Sequence, residues 1–226
     1  MTEVLGASGL VVRRGSFSLT PISFSLDENS GIVGLFGQNG AGKTTLLRAL
    51  AGLAPITSGT VRRRHTQARR PVFLPDSPYL YGFLRVQECV DLMARYFSDF
   101  SRQRAITLID ELELDKRKPV NALSKGMGEQ LSIALMLARD NDVYLFDEPL
   151  AAVDPVTRDV LVQIIWANIP PNAVALLSTH LIFGLQDLFD SYMVIHDGAL
   201  VRTEQISTAH ERENLESIVK EAILGG

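Results

Sequence analysis

A glycine-rich segment at residues 37–45, Gly-Gln-Asn-Gly-Ala-Gly-Lys-Thr-Thr, carries the residue types that bind phosphate and fits the pattern G-x-x-x-x-G-K-[ST]. Its glycines allow the backbone to curl so that successive amide groups point at an anion. Lys43 would place its ammonium on the β- and γ-phosphates, and the Thr44 hydroxyl could ligate Mg²⁺. The segment therefore predicts a site for ATP and Mg²⁺. The expected nucleotide contacts in it are Gly37, Asn39, Gly40, Ala41, Gly42, Lys43, Thr44 and Thr45.

Two carboxylates follow a second apolar run, since Val-Tyr-Leu-Phe at 143–146 leads directly into Asp147 and Glu148. Asp147 is expected to hold Mg²⁺ through water, and Glu148 to orient and polarise the attacking water. By itself such a pair is often a plain strand end, but downstream of a phosphate loop it is a strong signal. His180 follows a third apolar run and could reach the γ-phosphate and the same water, with a surface or helix-capping histidine as the alternative.

To bring these residues together, strands and helices must alternate along the chain. Apolar or alternating patterns predict strands, and runs of helix formers predict helices on either side of them. Alternation of this kind indicates a mainly parallel sheet whose functional loops lie at the carboxyl ends of its strands. The predicted strands are 22–26, 32–36, 143–146 and 173–178, and the predicted helices between them include 44–50 and 156–168.

The remaining segments complete the expected architecture. Residues 57–74 suggest two short strands around a basic stretch, and residues 86–114 have the spacing of a helical insertion. Helix is expected to resume after Gly128. A further helix is expected after residue 178, then a hairpin at Asp197-Gly198 and an amphipathic helix over about 211–224. The basic stretch is either a solvated strand pair or a contact for anionic lipid. Its arginines are Arg62, Arg63, Arg64, Arg69 and Arg70.

Bulk composition narrows the class of protein. The chain has 226 residues, of which 46% are apolar and 21% charged, and its net charge of −4 does not favour nucleic acid as a partner. The single cysteine, Cys89, suits a reducing compartment. The N-terminal residues do not have the pattern of a signal peptide, and no apolar window reaches the length that spans a bilayer. We expect a soluble protein, so that any membrane spans would come from another chain.

A third motif, Leu-Ser-Lys-Gly-Met at residues 123–127, lies between the phosphate loop and the acidic pair, and Ala-Val-Asp follows at 152–154. Together with His180, this fixed order of motifs resembles the ATP-binding cassette (ABC) ATPases, the nucleotide-binding subunits of ABC transporters. The Ser-Lys-Gly-Met form resembles the branch that serves exporters. The resemblance implies an α/β P-loop cassette with an N-terminal antiparallel β region. It also implies a β-rich core at about 1–75 and 140–226 and a helical subdomain at about 76–139.

The resemblance implies that two cassettes pack head to tail. ATP on one phosphate loop would be capped by Ser124 and Gly126 of the other copy, with Asp154 lying across the interface. Without the surrounding motifs, Ser124 would be an ordinary helix N-cap. The implied partners are a second ABC ATPase subunit, most simply in a homodimer, and a separate transmembrane permease subunit. The chain would then be cytoplasmic, at the inner face of the cell membrane.

Two positions depart from the family pattern. Asp76 stands where the family has glutamine; it could bind Mg²⁺ or water, or be a turn aspartate. The family's adenine-stacking aromatic falls near Arg14, whose guanidinium could stack on a base, with Phe17 as the alternative if the register slips.

The aromatic stretch at 79–84 is either the family's groove for the membrane subunit or the core of the insertion. Two other functions stay open: a soluble ABC ATPase that acts on another machine, and a catalytically inactive nucleotide binder.

Overall fold

The computed structural model describes residues 2–64, 70–151 and 153–225. Over those ranges the strands are β1 (Glu3–Arg14), β2 (Phe17–Asp27), β3 (Ile32–Phe36), β4 (Ser58–Arg63), β5 (Val72–Leu74), β6 (Val143–Asp147), β7 (Val174–Ser178), β8 (Ser191–His196) and β9 (Ala199–Gln205). The helices are α1 (Lys43–Ala51), α2 (Val86–Tyr96), α3 (Arg102–Glu111), α4 (Lys125–Leu137), α5 (Pro155–Asn168), α6 (Ala209–Glu213) and α7 (Leu215–Leu224). The chain divides into two compact units, the first made of 1–73, 142–148 and 170–226 and the second of 74–141 and 149–169.

The first unit contains two sheets. A six-stranded sheet has the order β5-β6-β7-β3-β8-β9, in which β6, β7, β3 and β8 run parallel and β9 is antiparallel to β8. The strands β3, β6 and β7 are buried along their whole length, as their continuous apolar sequences predict. A three-stranded antiparallel sheet has the order β2-β1-β4. The predicted fold class, a mainly parallel core sheet with an N-terminal antiparallel region, is therefore confirmed.

Register brings the ends of three strands to one edge of the larger sheet. Ser178 of β7 lies opposite Leu35 of β3 on one side and opposite Asp147 of β6 on the other. Each of these strands then leads into a loop at its carboxyl end. Because parallel strands present these ends together, residues far apart in the sequence become neighbours here.

The second unit contains helices α2 to α5 and encloses a buried ion pair. Arg139 donates from Nε and Nη2 to the two carboxylate oxygens of Asp99 at 3.0 and 2.8 Å, and its guanidinium stacks on Phe97 at 4.1 Å from the ring centroid. Asn141 also donates to Asp99. These contacts fix the α2–α3 connection to the residues after α4. Cys89 is buried in this unit, and burial raises the pKa of its thiol to about 11.

The structure differs from the sequence predictions at three places. The helix predicted after residue 178 is wrong: a short 3₁₀ turn at Gln186–Leu188 is present instead, and Gly184 ahead of it has φ +80°, which no helix accommodates. The C-terminal helix is divided into α6 and α7 at Asn214. Strand β1 is a third difference, since no strand is predicted over its residues: its burial does not alternate, and its pairing with β2 is interrupted by bulges.

The basic stretch is largely engaged in intramolecular contacts. Arg62 forms an ion pair with Glu3 at 2.8 Å and Arg64 one with Glu28 at 3.0 Å. Arg63 donates to the carbonyl oxygen of Leu50, at the end of α1, at 2.7 Å. Arg69 lies outside the described residues. These contacts favour a structural strand pair over a lipid-binding patch. No helix within the described ranges is long and apolar enough to cross a membrane.

Candidate functional site

The phosphate loop connects β3 to α1 and has no room for side chains at two of its glycines. A Cβ at Gly37 would lie 2.3 Å from the carbonyl oxygen of Ile195, and one at Gly42 would lie 2.6 Å from Leu19. Gly40, at φ +85°, faces open space. Glycine therefore lets the loop lie against β8 and β2 while its backbone stays accessible on the other side. The loop ends at Gly42, immediately before the N-terminus of α1.

Lys43 lies inside this loop, with its side chain 7% exposed. Its ammonium donates to the carbonyl oxygen of Gly37 at 2.8 Å and to that of Gln38 at 3.4 Å. A buried cation surrounded by curled backbone attracts an anion of matching size. Accordingly, the loop fits the phosphates of a nucleotide.

A hydroxyl and a carboxylate meet beside the loop. Thr44 donates from Oγ1 to Oδ1 of Asp147 at 3.0 Å, and Ser178 donates to the same oxygen at 2.9 Å. Asp147 is completely buried. Hard oxygen donors next to a phosphate site suit Mg²⁺. No cluster of three or more His, Cys, Asp and Glu side chains that could hold a metal occurs in the part of the chain that the structure describes, so phosphate and water oxygens would complete the shell.

Glu148 links the loop to the third strand end. Its Oε1 lies 3.6 Å from the ammonium of Lys43, and its Oε2 lies 3.0 Å from Nδ1 of His180. Its backbone is in the left-handed region at φ +50°, and its amide donates to both the carbonyl and the hydroxyl of Ser178. The structure thus brings together the three predicted catalytic residues. Ser178 was not singled out from the sequence, where a serine at a strand end carries no distinct signal.

Of the two candidates for adenine stacking, Phe17 is the one beside the loop. Arg14 and Phe17 are paired across the β1–β2 hairpin, and Arg14 is exposed. The Phe17 ring reaches within 2.8 Å of the position that a Cβ on Gly42 would take. A partly exposed ring at that place could stack on a base whose phosphates occupy the loop.

The β8–β9 hairpin supports the loop from behind. Gly198 donates its amide to the carbonyl oxygen of Ala41 at 3.0 Å, and its own carbonyl accepts from the amide of Thr20 at 2.9 Å. The Asp197-Gly198 turn was predicted, but its contact with the loop was not. Gly198 is therefore a positioning residue for the phosphate loop.

We expect Gly198→Ala to weaken ATP binding about five- to tenfold. The substitution forces a Cβ to within 2.4 Å of the carbonyl oxygen of Ser18 and displaces the amide that holds Ala41. The matched control is Gly184→Ala, because Gly184 has the same φ of +80° with nothing within 4 Å of its added Cβ. Both variants should lose about 1 kcal/mol of stability from the left-handed backbone. Titration with a fluorescent ATP analogue and thermal unfolding would separate the two effects, and equal affinities for the two variants would contradict the positioning role.

Four predicted nucleotide or metal contacts lie in the second unit. Ser124 caps α4 by accepting from the amide of Met127 at 3.2 Å, and Gly126 lies in the first turn of that helix. Asp154 caps α5 in the same manner, and hydrogen bonds from Thr157 lower the pKa of its carboxyl. Ser124 is exposed at the helix N-terminus, where amide groups are available to an anion. Ala152 of the Ala-Val-Asp segment lies outside the described residues.

Asp76, the fourth of these residues, is exposed. It borders a cavity of the second unit that is also lined by Ser124 and Glu129. It makes no hydrogen bond or ion pair with any residue that the structure describes. Its assignment as a Mg²⁺ ligand therefore remains a prediction.

A glycine-rich loop after a buried parallel strand, with a hydroxyl–carboxylate pair at the neighbouring strand end, defines a P-loop nucleoside triphosphatase. The family described as "ABC transporter" matches residues 19–151, more than half of the chain. The protein belongs to this family and is an ABC ATPase.

Curated relatives carry related names. The chain is 29% identical over 208 residues to the ABC-type transporter ATP-binding protein EcsA of Bacillus subtilis, covering 86% of this chain and 83% of that protein. It is 31% identical over 211 residues to the Nod factor export ATP-binding protein I of Ralstonia nicotianae, covering 87% of this chain and 65% of that protein. The chain is 29% identical over 196 residues to the bacitracin transport ATP-binding protein BcrA of Enterococcus faecalis, covering 80% of this chain and 62% of that protein. The chain thus spans less than two thirds of the last two.

Solved structures share the fold. An ATP-binding subunit of an ABC transporter superposes with a TM-score of 0.78 at 22% identity, covering 98% of this chain and 96% of that one. A dimeric ATP-binding cassette in a post-hydrolysis state with ADP and Pi has a TM-score of 0.77 at 20% identity, covering 91% of this chain and all of that one. At these identities the likeness supports the cassette fold alone.

Proposed function

We propose that this chain is the ATP-hydrolysing subunit that drives a separate transmembrane transporter subunit, with export as the direction of transport. The observation that carries the proposal is the Glu148 carboxylate, held between Lys43 and His180 beside the phosphate loop. Two relatives whose names refer to Nod factor export and to bacitracin transport support the transport role. The Ser-Lys-Gly-Met form of residues 124–127 supports the exporter branch.

In the proposed reaction the phosphate loop binds ATP and Glu148 activates the attacking water. Backbone amides of residues 37–45 and the Lys43 ammonium hold the β- and γ-phosphates. Thr44 and Asp147 would hold Mg²⁺, which when bound offsets negative charge on the phosphate oxygens. Glu148 accepts a hydrogen bond from the water and polarises it towards the γ-phosphorus, and His180 orients that carboxylate. Ser178 fixes Asp147 and the backbone of Glu148 at once, so both carboxylates keep their positions.

The second half of the site is proposed to come from another copy of the chain. The exposed Ser124 hydroxyl and the first amides of α4, including that of Gly126, would cap the γ-phosphate bound to the partner. Asp154 would lie near the partner's phosphate loop. One chain carries the complete set of motifs, which supports a homodimer. ATP would then join the two copies and hydrolysis would release them.

The membrane partner provides the test of this proposal. We expect the affinity-tagged chain, expressed in its native host and isolated from detergent-solubilised membranes, to retain an integral membrane protein in a defined ratio. The chain would reach the inner face of the membrane through that partner. An untagged strain carried through the same steps is the control. Recovery of the chain with no integral membrane protein would contradict the transport role.

The alternative of a soluble ABC ATPase acting on another machine was favoured mainly by the basic stretch. Arg62 forms an ion pair with Glu3, and Arg64 forms one with Glu28. Arg63 donates a hydrogen bond to the carbonyl oxygen of Leu50 in α1. Arg62 and Arg64 are thus neutralised by carboxylates of the same unit. The structure therefore adds no support to that alternative.

A further inference from the structure

The connection from β7 to β8, residues 179–190, carries His180 near its start, and the structure describes all of it. Both of its ends are bonded to β3, because the amides of Thr179 and Asp190 donate to carbonyl oxygens of that strand at 3.2 and 2.8 Å. Between these ends lies Gly184, whose φ of +80° is a conformation that glycine adopts without strain. Since this connection has no α-helix to stiffen it, its course between the two ends depends on contacts with other elements.

Arg212 of α6 supplies a contact of this kind. Its Nη1 donates to the carbonyl oxygens of Gln186 and Phe189, each at 2.8 Å. These two oxygens lie at the start of the 3₁₀ turn and directly after it, so that one nitrogen of the guanidinium closes the turn. A charged donor makes a stronger hydrogen bond than a neutral one, and a cation is favourable at the carbonyl end of a helical turn.

The short helix that bears Arg212 is itself fixed at its start. Thr208 accepts from the amide of Glu211 at 3.1 Å, and the Glu211 carboxylate accepts from the amide of Thr208 at 3.0 Å, which is a reciprocal cap. Just before this cap, the amide of Ile206 donates to the carbonyl oxygen of Asp190, at the end of the connection, at 2.9 Å. α6 therefore holds Arg212 against the connection from a fixed position.

We propose that Arg212 is a positioning residue for ATP hydrolysis. By closing the turn at 186–189, it fixes the connection that places the His180 imidazole 3.0 Å from the Glu148 carboxylate. The inference rests on the proposed role of His180, and it adds a residue that lies beyond 19–151, the range that matches the family. The phosphate loop is held by contacts of its own, so the effect of Arg212 falls on turnover and not on ATP binding.

Arg212→Met tests the proposal, because methionine keeps an unbranched side chain and removes both hydrogen bonds. We expect kcat to fall about tenfold, with ATP affinity unchanged within about twofold, since a small displacement of a group in the site slows the reaction. Arg212→Lys should retain most of the turnover, because both bonds come from one nitrogen and an ammonium has three donors. The matched control is Arg202→Met, which removes an arginine that donates to Glu204 at 3.0 Å in the same unit and should leave turnover unchanged.

A double-variant cycle shows whether Arg212 acts through His180. In the His180→Ala background, Arg212→Met should lower kcat by less than about twofold, because the imidazole that it positions is absent. Single-turnover phosphate release measures these low rates, and thermal unfolding shows that each variant is folded at the assay temperature. Wild-type turnover by Arg212→Met, or an equal loss in both backgrounds, would overturn the inference and leave the role of Glu148 intact. Wild-type turnover by His180→Ala would remove the proposed role of His180 as well.

Discussion

Glu148→Gln is expected to lower ATP turnover by at least about a hundredfold while ATP binding persists. The Glu148 carboxylate lies between the Lys43 ammonium and the His180 imidazole, at the sheet edge where β3 leads into the phosphate loop. Glutamine has nearly the same shape, but it is a poor acceptor for a proton from water and does not attract the lysine. Phosphate release under single-turnover conditions, together with nucleotide titration, measures both quantities. Dimers should also accumulate in ATP, because the step that separates the copies is slowed.

A second glutamate offers a matched control for this variant. Glu113 also has a left-handed backbone, at φ +54° against +50° for Glu148, and it lies in the second unit. Glu113→Gln changes the same functional group in the same backbone conformation and should leave turnover unchanged. Wild-type turnover by Glu148→Gln would contradict the assigned role. Absence of turnover in the wild-type chain with its partner present would favour an inactive nucleotide binder.

Lys43→Ala is expected to weaken ATP binding by about a hundredfold or more. The variant removes the one charge inside the loop and two hydrogen bonds, to Gly37 and Gln38, that hold the loop closed. A charge-assisted hydrogen bond from the ammonium to a phosphate oxygen would contribute roughly 1.5–3 kcal/mol, and about 2.8 kcal/mol corresponds to a hundredfold change in affinity. Isothermal titration with ATP in the presence of Mg²⁺ measures the loss directly.

The control for this experiment is Lys220→Ala. Lys220 pairs with Glu216 on the surface of α7, at 2.6 Å, and its side chain is 68% exposed. An exposed pair of this kind contributes little to stability, so the variant should bind ATP as the wild type does. If Lys43→Ala also bound ATP with unchanged affinity, the loop would have no role in holding phosphate.

The chemistry of the site was predictable because its signals are local. The apolar run at 32–36, the glycines that follow and the helix formers after Lys43 are adjacent in the sequence, and each specifies its own conformation. Asp147, Glu148 and His180 each follow a predicted strand, so the parallel-sheet rule alone indicates that they meet. That the Glu148 carboxylate lies 3.6 Å from the Lys43 ammonium and 3.0 Å from the His180 ring could be learned only from the structure.

What the sequence did not reveal depends on contacts between distant segments. The amide of Gly198 bonds to Ala41 across most of the chain length, and a turn signal carries no information about what the turn touches. The segment after His180 is rich in apolar residues and predicted a helix, but the left-handed backbone of Gly184 interrupts it. The charge of Arg62, in β4, and of Arg64, just after it, does not reveal their partners, because Glu3 lies in β1 and Glu28 in the turn after β2.

The left-handed backbone of Glu148 has a thermodynamic consequence for the evolution of this chain. A residue with a Cβ at φ +50° costs about 1 kcal/mol of backbone energy relative to glycine. A protein with glycine at this position would avoid that backbone cost. Such a protein would lose its acceptor for the water proton. Selection for turnover therefore maintains a locally unfavourable conformation at the strand end.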